Sequence, residues 1–387
     1  MRNNSSLIRL GTVLALILWV GSPSLLATPQ FARKYRRDCS YCHLAAPVLN
    51  ARGEAFLANG YRLLAGLAPV PSHDTAPVAA WSSVDYDRRH NSITDRVFPS
   101  RLELISAGPI GRSRAAYFAE WRLLSLQIAS GNSLLNRSGR FEDLYVTAPI
   151  GRSAFAVTAG QFRTTSQVDV SRRLSISEPQ VFSAGLAGRA ASTSRATGLR
   201  ALSPSGRQPG VRVGWRQQLE DRPSDGWSAS ITVPFPGELT IPFTEGASFE
   251  VEGSPKGVVF ESYRRSGVSS VGGHVFFGDD RRLALAVGAF GIGSRVIVTA
   301  AGGLETVGAA TESRYGIQGD VFFNGRWSAT GRIEDRTGPG RRAAGIVGLN
   351  LHVPFGPAWF RQAMRLQLEQ RIQAGDHRTL VSFSHVF

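Results

Sequence analysis

The 387-residue chain carries 44 basic against 29 acidic side chains, a formal net charge of +15, yet only 19% of its residues are charged. No apolar run after residue 27 approaches the roughly 18 residues of a membrane helix, which excludes a helical membrane protein. Lys34 and Lys256 are the only lysines, so the basic excess is scattered arginine rather than a stripe, and in an exported chain this excludes a nucleic-acid binder. With 42 glycines and a mean hydropathy near zero, two classes remain. One is a soluble β-rich protein; the other is a transmembrane β-barrel, whose lipid-facing residues alternate with polar ones. Arginine suits phosphates of outer-membrane lipid or an anion-attracting lumen.

Residues 1–27 read as a secretory signal peptide. Arg2 and Arg9 form the basic n-region, Leu10 to Val20 the apolar run, and Ala27 the cleavage position, with Leu25 departing from the usual small residue. A dozen residues into the mature chain come Cys39, Ser40, Tyr41, Cys42 and His43, and these are the only two cysteines. C-x-x-C-H is the attachment motif of a covalent c-type haem: each thiol adds to a vinyl group and the histidine ligates the iron from one face. A local disulfide or half of a zinc site would use the same residues, but zinc wants a second Cys/His pair, which the sequence lacks. One haem c is therefore expected on Cys39 and Cys42, with His43 as the proximal ligand.

Pro47 to Asn59 reads as one helix, with proline in its first turn and Gly60 past its end. Val48, Leu49, Phe56 and Leu57 fall along one side, fit to pack on a porphyrin or in an ordinary core. Residues 28–76 form a haem-bearing segment too small to bury a macrocycle alone. For the far side of the iron His73 is the candidate. His90 also lies nearby, while His274, His352, His377, His385 and Met364 come much later, and an open or water-ligated iron also fits.

From residue 77 to 387 the pattern becomes short alternating stretches broken by Gly, Asp, Asn and Pro, about sixteen strands in all. Tyr117, Ala119, Trp121 and Leu123 show the period of two, as do Val211, Val213 and Trp215. Three features favour a membrane barrel over a soluble sandwich. The chain ends T-L-V-S-F-S-H-V-F, with Val381, Phe383, His385 and terminal Phe387 on one face. Short gaps near 109–113, 149–153, 265–267, 291–293 and 324–325 all fall on one side, and the long stretches 164–210 and 236–256 on the other, as periplasmic turns and extracellular loops do. P-I-G-R-S recurs at 109–113 and 149–153, on the short-turn side both times. V-P-F-P-G at 233–237 and V-P-F-G-P at 353–357 look like equivalent turns yet count to opposite sides. The Ser- and Arg-rich stretch 164–210 is expected as a surface loop, the alternative being a segment folded into the pore.

The run from Phe31 to Tyr61, with F-A-R, C-S-Y-C-H, P-V-L-N, G-E-A-F and N-G-Y, resembles the N-terminal segment of the fused cytochrome-porin family, outer-membrane proteins that include bacterial iron(II) oxidases. The remaining three hundred residues agree in kind alone. The resemblance implies a mainly β fold, a transmembrane antiparallel barrel of about sixteen strands with a small α-helical haem c plug. It implies Fe(II):cytochrome c oxidoreductase chemistry, with electrons passing from an extracellular donor such as Fe(II) to a periplasmic cytochrome or other carrier. Glu245, Glu250, Glu252, Asp279, Asp280 and Glu305 lie in or near expected outer loops where Fe(II) would arrive. A second function, porin-type passage of small anions with a structural or sensory haem plug, fits the same barrel.

Overall fold

The computed structural model describes residues 30–63 except 36 and 46, and residues 78–386 except 91–93, 112, 129–133, 137, 152, 165–173, 178, 183–206, 218–224, 236, 241–247, 252–256, 280, 325, 338–342, 356–361 and 374–375. The signal peptide, His73 and Phe387 lie outside them. Sixteen antiparallel strands run in chain order around a closed barrel: β1 (Val78–Arg89), β2 (Thr94–Pro109), β3 (Ala116–Ile128), β4 (Arg140–Pro149), β5 (Phe155–Arg163), β6 (Arg207–Arg216), β7 (Gly226–Pro234) and β8 (Gly257–Ser266). Then come β9 (Ser269–Gly278), β10 (Arg281–Ile292), β11 (Val296–Val307), β12 (Ala310–Phe322), β13 (Trp327–Arg336), β14 (Ala344–Phe355), β15 (Gln362–Gln373) and β16 (Asp376–Val386). β16 pairs with β1, from Arg378 opposite Arg89 to Val386 opposite Trp81, so no sheet edge is left open.

The period of two decides what faces where. Ile333 and Val347 are 68% and 69% exposed, while their neighbours Glu334 and Ile346 are 1% and 2% exposed. Outward positions along β8 to β15, among them Phe260, Val271, Phe290, Leu304, Ile317, Leu349 and Leu368, form an apolar belt. Inward positions carry charge: Glu305 accepts from Arg281 (2.7 Å) and Arg314, and Glu103 from Arg122 (2.8 Å) and Arg101 (3.3 Å). A closed barrel, apolar outside and polar within, spans a membrane with every backbone group paired. No helix among the described residues is long and apolar enough to do so. The chain is an outer-membrane β-barrel, and the strand count from sequence holds.

Both P-I-G-R-S copies make the same turn. Ile110 N–H donates to Ala115 and Ile150 N–H to Phe155, and Gly111 and Gly151 take left-handed φ of 56° and 58°. These turns, with the tight ones at 267–268 and 293–295, define one end of the barrel, which by their shortness is the periplasmic end. The long connections 164–206 and 235–256 lie at the other end. Pro234 closes β7 at the long-loop end and Phe355 closes β14 at the short-turn end, so the likeness of the two V-P-F turns is accidental.

Two expectations are overturned here. The 164–210 stretch is not confined to the surface. Leu174 is 1% exposed and packs with Ala45, Ile297 and Phe322, and Val181 and Phe182 pack on Leu285, Val287 and Ala301 inside the barrel. Inward polar side chains draw it in, because the loop's backbone groups need partners that the charged lumen supplies. Glu305 does lie near the long-loop end of its strand, yet it is wholly buried between Arg281 and Arg314 and not open to an arriving ion. Its strand runs longer than its alternation suggested, and the odd positions of β11 near that end face inward.

Candidate functional site

The N-terminal segment sits in the periplasmic mouth. A helix, α1 (Gln30–Tyr35), is followed by a short 3-10 turn at Cys39–Tyr41, a ribbon pairing His43–Ala45 with Val48–Leu49, and a second helix, α2 (Ala51–Ala58). The helix begins four residues later than Pro47 because Val48 and Leu49 pair with the ribbon and Asn50 caps it. The Asn50 Oδ1 accepts from the backbone N–H of Arg52 (2.9 Å) and Gly53 (3.0 Å). At the far end Gly60 has a φ of +61° and Tyr61 N–H reaches back to the Phe56 carbonyl (3.0 Å), a left-handed cap.

Asn50 also organises the C-x-x-C-H loop. Its Nδ2 donates to the carbonyls of Ser40 and Tyr41 (3.2 Å each), and its backbone N–H donates to that of Cys42 (2.9 Å). One residue thus caps the helix and holds three successive carbonyls of the motif. Gly53 allows the approach: a Cβ there would stand 2.2 Å from the Cys42 carbonyl oxygen. Neither role was read from the sequence, although an Asn three residues before an interior helical Gly carries the signal.

Phe56 and Tyr61 are buried with Ala107 and Ala116 of the barrel wall, and Phe31, Tyr35, Leu57, Leu63 and Phe118 pack around them. Phe31 stacks on Tyr61 at 5.3 Å between centroids and Tyr61 on Phe118 at 6.3 Å. Glu54 pairs with Arg265 at the end of β8 (2.8 Å), Arg62 donates to the Ser113 carbonyl in the β2–β3 turn, and the Tyr35 hydroxyl donates to the Tyr61 carbonyl (3.1 Å). Val48 turns away from this aromatic cluster toward Ala45 and Leu174.

Between the plug and the wall lies a cavity of about 870 Å³. Cys39, Cys42 and His43 line it with Leu44, Leu49, Phe56, Leu57 and Tyr61 of the plug and Trp81, Ile105, Phe118 and His352 of the barrel. That volume is at the upper end for small-molecule and cofactor sites. Seven arginines (37, 62, 114, 163, 212, 216, 365) against three acids (Asp38, Glu120, Asp143) also border it, the charge sign that suits the two carboxylates of a haem. Cys39 and Cys42 are half-buried and not joined in a disulfide. Burial pushes the Cys42 thiol up to about 11, aided by the neighbouring Cys39 and opposed by Arg52. Among the described residues no group of three or more His, Cys, Asp and Glu is placed to hold a bare metal ion. The three motif residues, their volume and their apolar surroundings fit a covalent haem.

No family model matches the sequence, and no curated protein does. In structure the chain is similar to the outer membrane channel DcaP of Acinetobacter baumannii, with a TM-score of 0.50 and 11% identity over 80% of this chain and 96% of that one. It is also similar to an anion-selective porin from Comamonas acidovorans, with a TM-score of 0.43 and 12% identity over 80% of this chain and 98% of that one. At such identities the likeness speaks to the fold, a porin-like outer-membrane barrel.

Proposed function

We propose that the chain is an outer-membrane electron-transfer protein of the cytochrome-porin kind, in which one haem c on Cys39 and Cys42, ligated by His43, sits in the periplasmic mouth of the barrel. The observation that carries this reading is the cavity: the C-x-x-C-H segment, too small to enclose a macrocycle, meets a wall of Trp81, Ile105 and Phe118 that completes the enclosure. The bound haem would supply a one-electron couple, ferric to ferrous on accepting an electron. With Fe(II) as donor, each ion gives up one electron and becomes Fe(III) outside, and the electron leaves to a periplasmic carrier. Asn50 and Gly53 fix the motif loop, the aromatic cluster keeps water from one side, and the arginines offer partners for carboxylates. The plug and the described part of the inward loop pack inside the barrel, and only an electron has to cross.

A second reading is porin-type passage of small anions with the plug in a structural or sensory role. What supports it is the likeness in fold to the outer membrane channel DcaP.

Haem staining on a denaturing gel, Fe(II) added to the oxidised detergent-solubilised protein, and conductance in a planar bilayer separate the two. The electron-transfer reading expects a stained band, growth of the ferrous α-band across mildly acidic to neutral pH, and little conductance. An unstained band with steady open-pore conductance would replace it by transport. The double variant C39A/C42A should lose the stain while keeping the compact, heat-modifiable migration of a folded barrel.

A further inference from the structure

We propose that His352 is the second axial ligand of that haem, closing the iron from the barrel side opposite His43. This rests on the haem reading above. His352 is on β14 in step with Asn350 and Ile346, which are 1% and 2% exposed, and out of step with outward Leu349 and Val347. It is itself 7% exposed, so its ring is inside the lumen. It lines the same cavity as Cys39, Cys42 and His43. Among the described residues its Nε2 meets the Ser328 hydroxyl at 3.5 Å, the outer limit for a hydrogen bond, so the contact is a weak one that a stronger ligand can replace.

The other candidates are placed elsewhere. Met364 borders the cavity, but β15 carries it in step with Leu366 and Leu368, which are 43% and 49% exposed on the lipid side. His90 bonds Thr379 at the long-loop end, and His274 is in the wall between β8 and β10. His73 lies outside the described residues. Two imidazoles, one from the plug and one from the wall, would make the iron the pin that fastens plug to barrel. They would also set the potential below that of a His/Met site, because a methionine ligand raises it.

The test uses the full chain purified with its haem, read by electron paramagnetic resonance and near-infrared charge-transfer bands of the ferric form. Wild type is expected to be low-spin with the signature of two nitrogen ligands. H352A is expected to become high-spin and to return to low-spin on adding imidazole, with heat-modifiable migration showing that its barrel is intact. H352M, which retains a ligating side chain, should stay low-spin with a more positive potential. M364L and H73A should leave the spectrum unchanged. A high-spin wild type, an unaltered H352A, or a spectrum lost in M364L or H73A would overturn the assignment. If wild type carries no covalent haem, the electron-transfer reading itself fails, which the denaturing gel shows separately.

Discussion

Two segments enter the lumen, and they differ in how much of their hold is polar. The N-terminal plug is fastened by apolar and aromatic packing, with Phe56 and Tyr61 7% and 6% exposed at its centre, and Glu54 and Arg62 reach the wall by charge. The inward loop adds a set of hydrogen bonds to its apolar contacts at Leu174, Val181 and Phe182. Glu369 accepts from the N–H of Ile176 (2.6 Å) and Ser177 (3.2 Å) and from the Ser177 hydroxyl, Arg332 donates to the Ser175 hydroxyl (2.8 Å) and the Ser177 carbonyl (3.0 Å), and Gln367 donates to the Leu174 carbonyl (2.6 Å). The difference teaches where the barrel needs dryness. Beside the C-x-x-C-H motif, apolar packing shapes a cofactor-sized cavity. Away from it, a polar tether suffices to narrow the lumen. Among the described residues the two meet in the cluster that joins Leu174 to Ala45, Leu44 and Val48.

That contrast can be broken at either side. F56A removes the centre of the aromatic cluster and is expected to cost about 3–5 kcal/mol of plug docking. Hydrogen exchange over residues 51–61 should accelerate while residues 174–182 keep their protection. L174A, where loop and plug share a cluster, should cost about 2–4 kcal/mol and loosen both segments together. E369A withdraws a charged acceptor from the loop at about 1.5–3 kcal/mol. It should raise bilayer conductance without altering protease resistance of the plug. E54Q breaks the pair with Arg265 for about 0.5–1 kcal/mol and should show only as a slightly earlier release of the plug in denaturant.

The smallest effect sharpens the comparison through pH. Burial raises the Tyr35 phenol, with the backbone at Leu63 and the Arg62 charge opposing. Its folded value is above its ordinary 10.0, so its contribution is full below pH 10 and is lost as pH climbs through the raised value. Y35F should abolish that alkaline loosening of the plug and leave the loop's pH dependence unchanged, as followed by hydrogen exchange of each segment.

What the sequence determined by itself is what short-range chemistry dictates. Cys39, Cys42 and His43 spell C-x-x-C-H within five residues, the period of two marked the strands, and P-I-G-R-S specified its turn twice, because each depends on neighbours a few residues away. Tertiary structure alone decided which residues meet across the lumen. Glu305 pairs with Arg281 and Arg314, the 174–182 loop finds Glu369 and Arg332, and His352 comes to line the same cavity as His43 only after sixteen strands close in one register. Closure brings together positions more than three hundred residues apart, and a single-residue slip would turn each of those side chains from the lumen to the lipid.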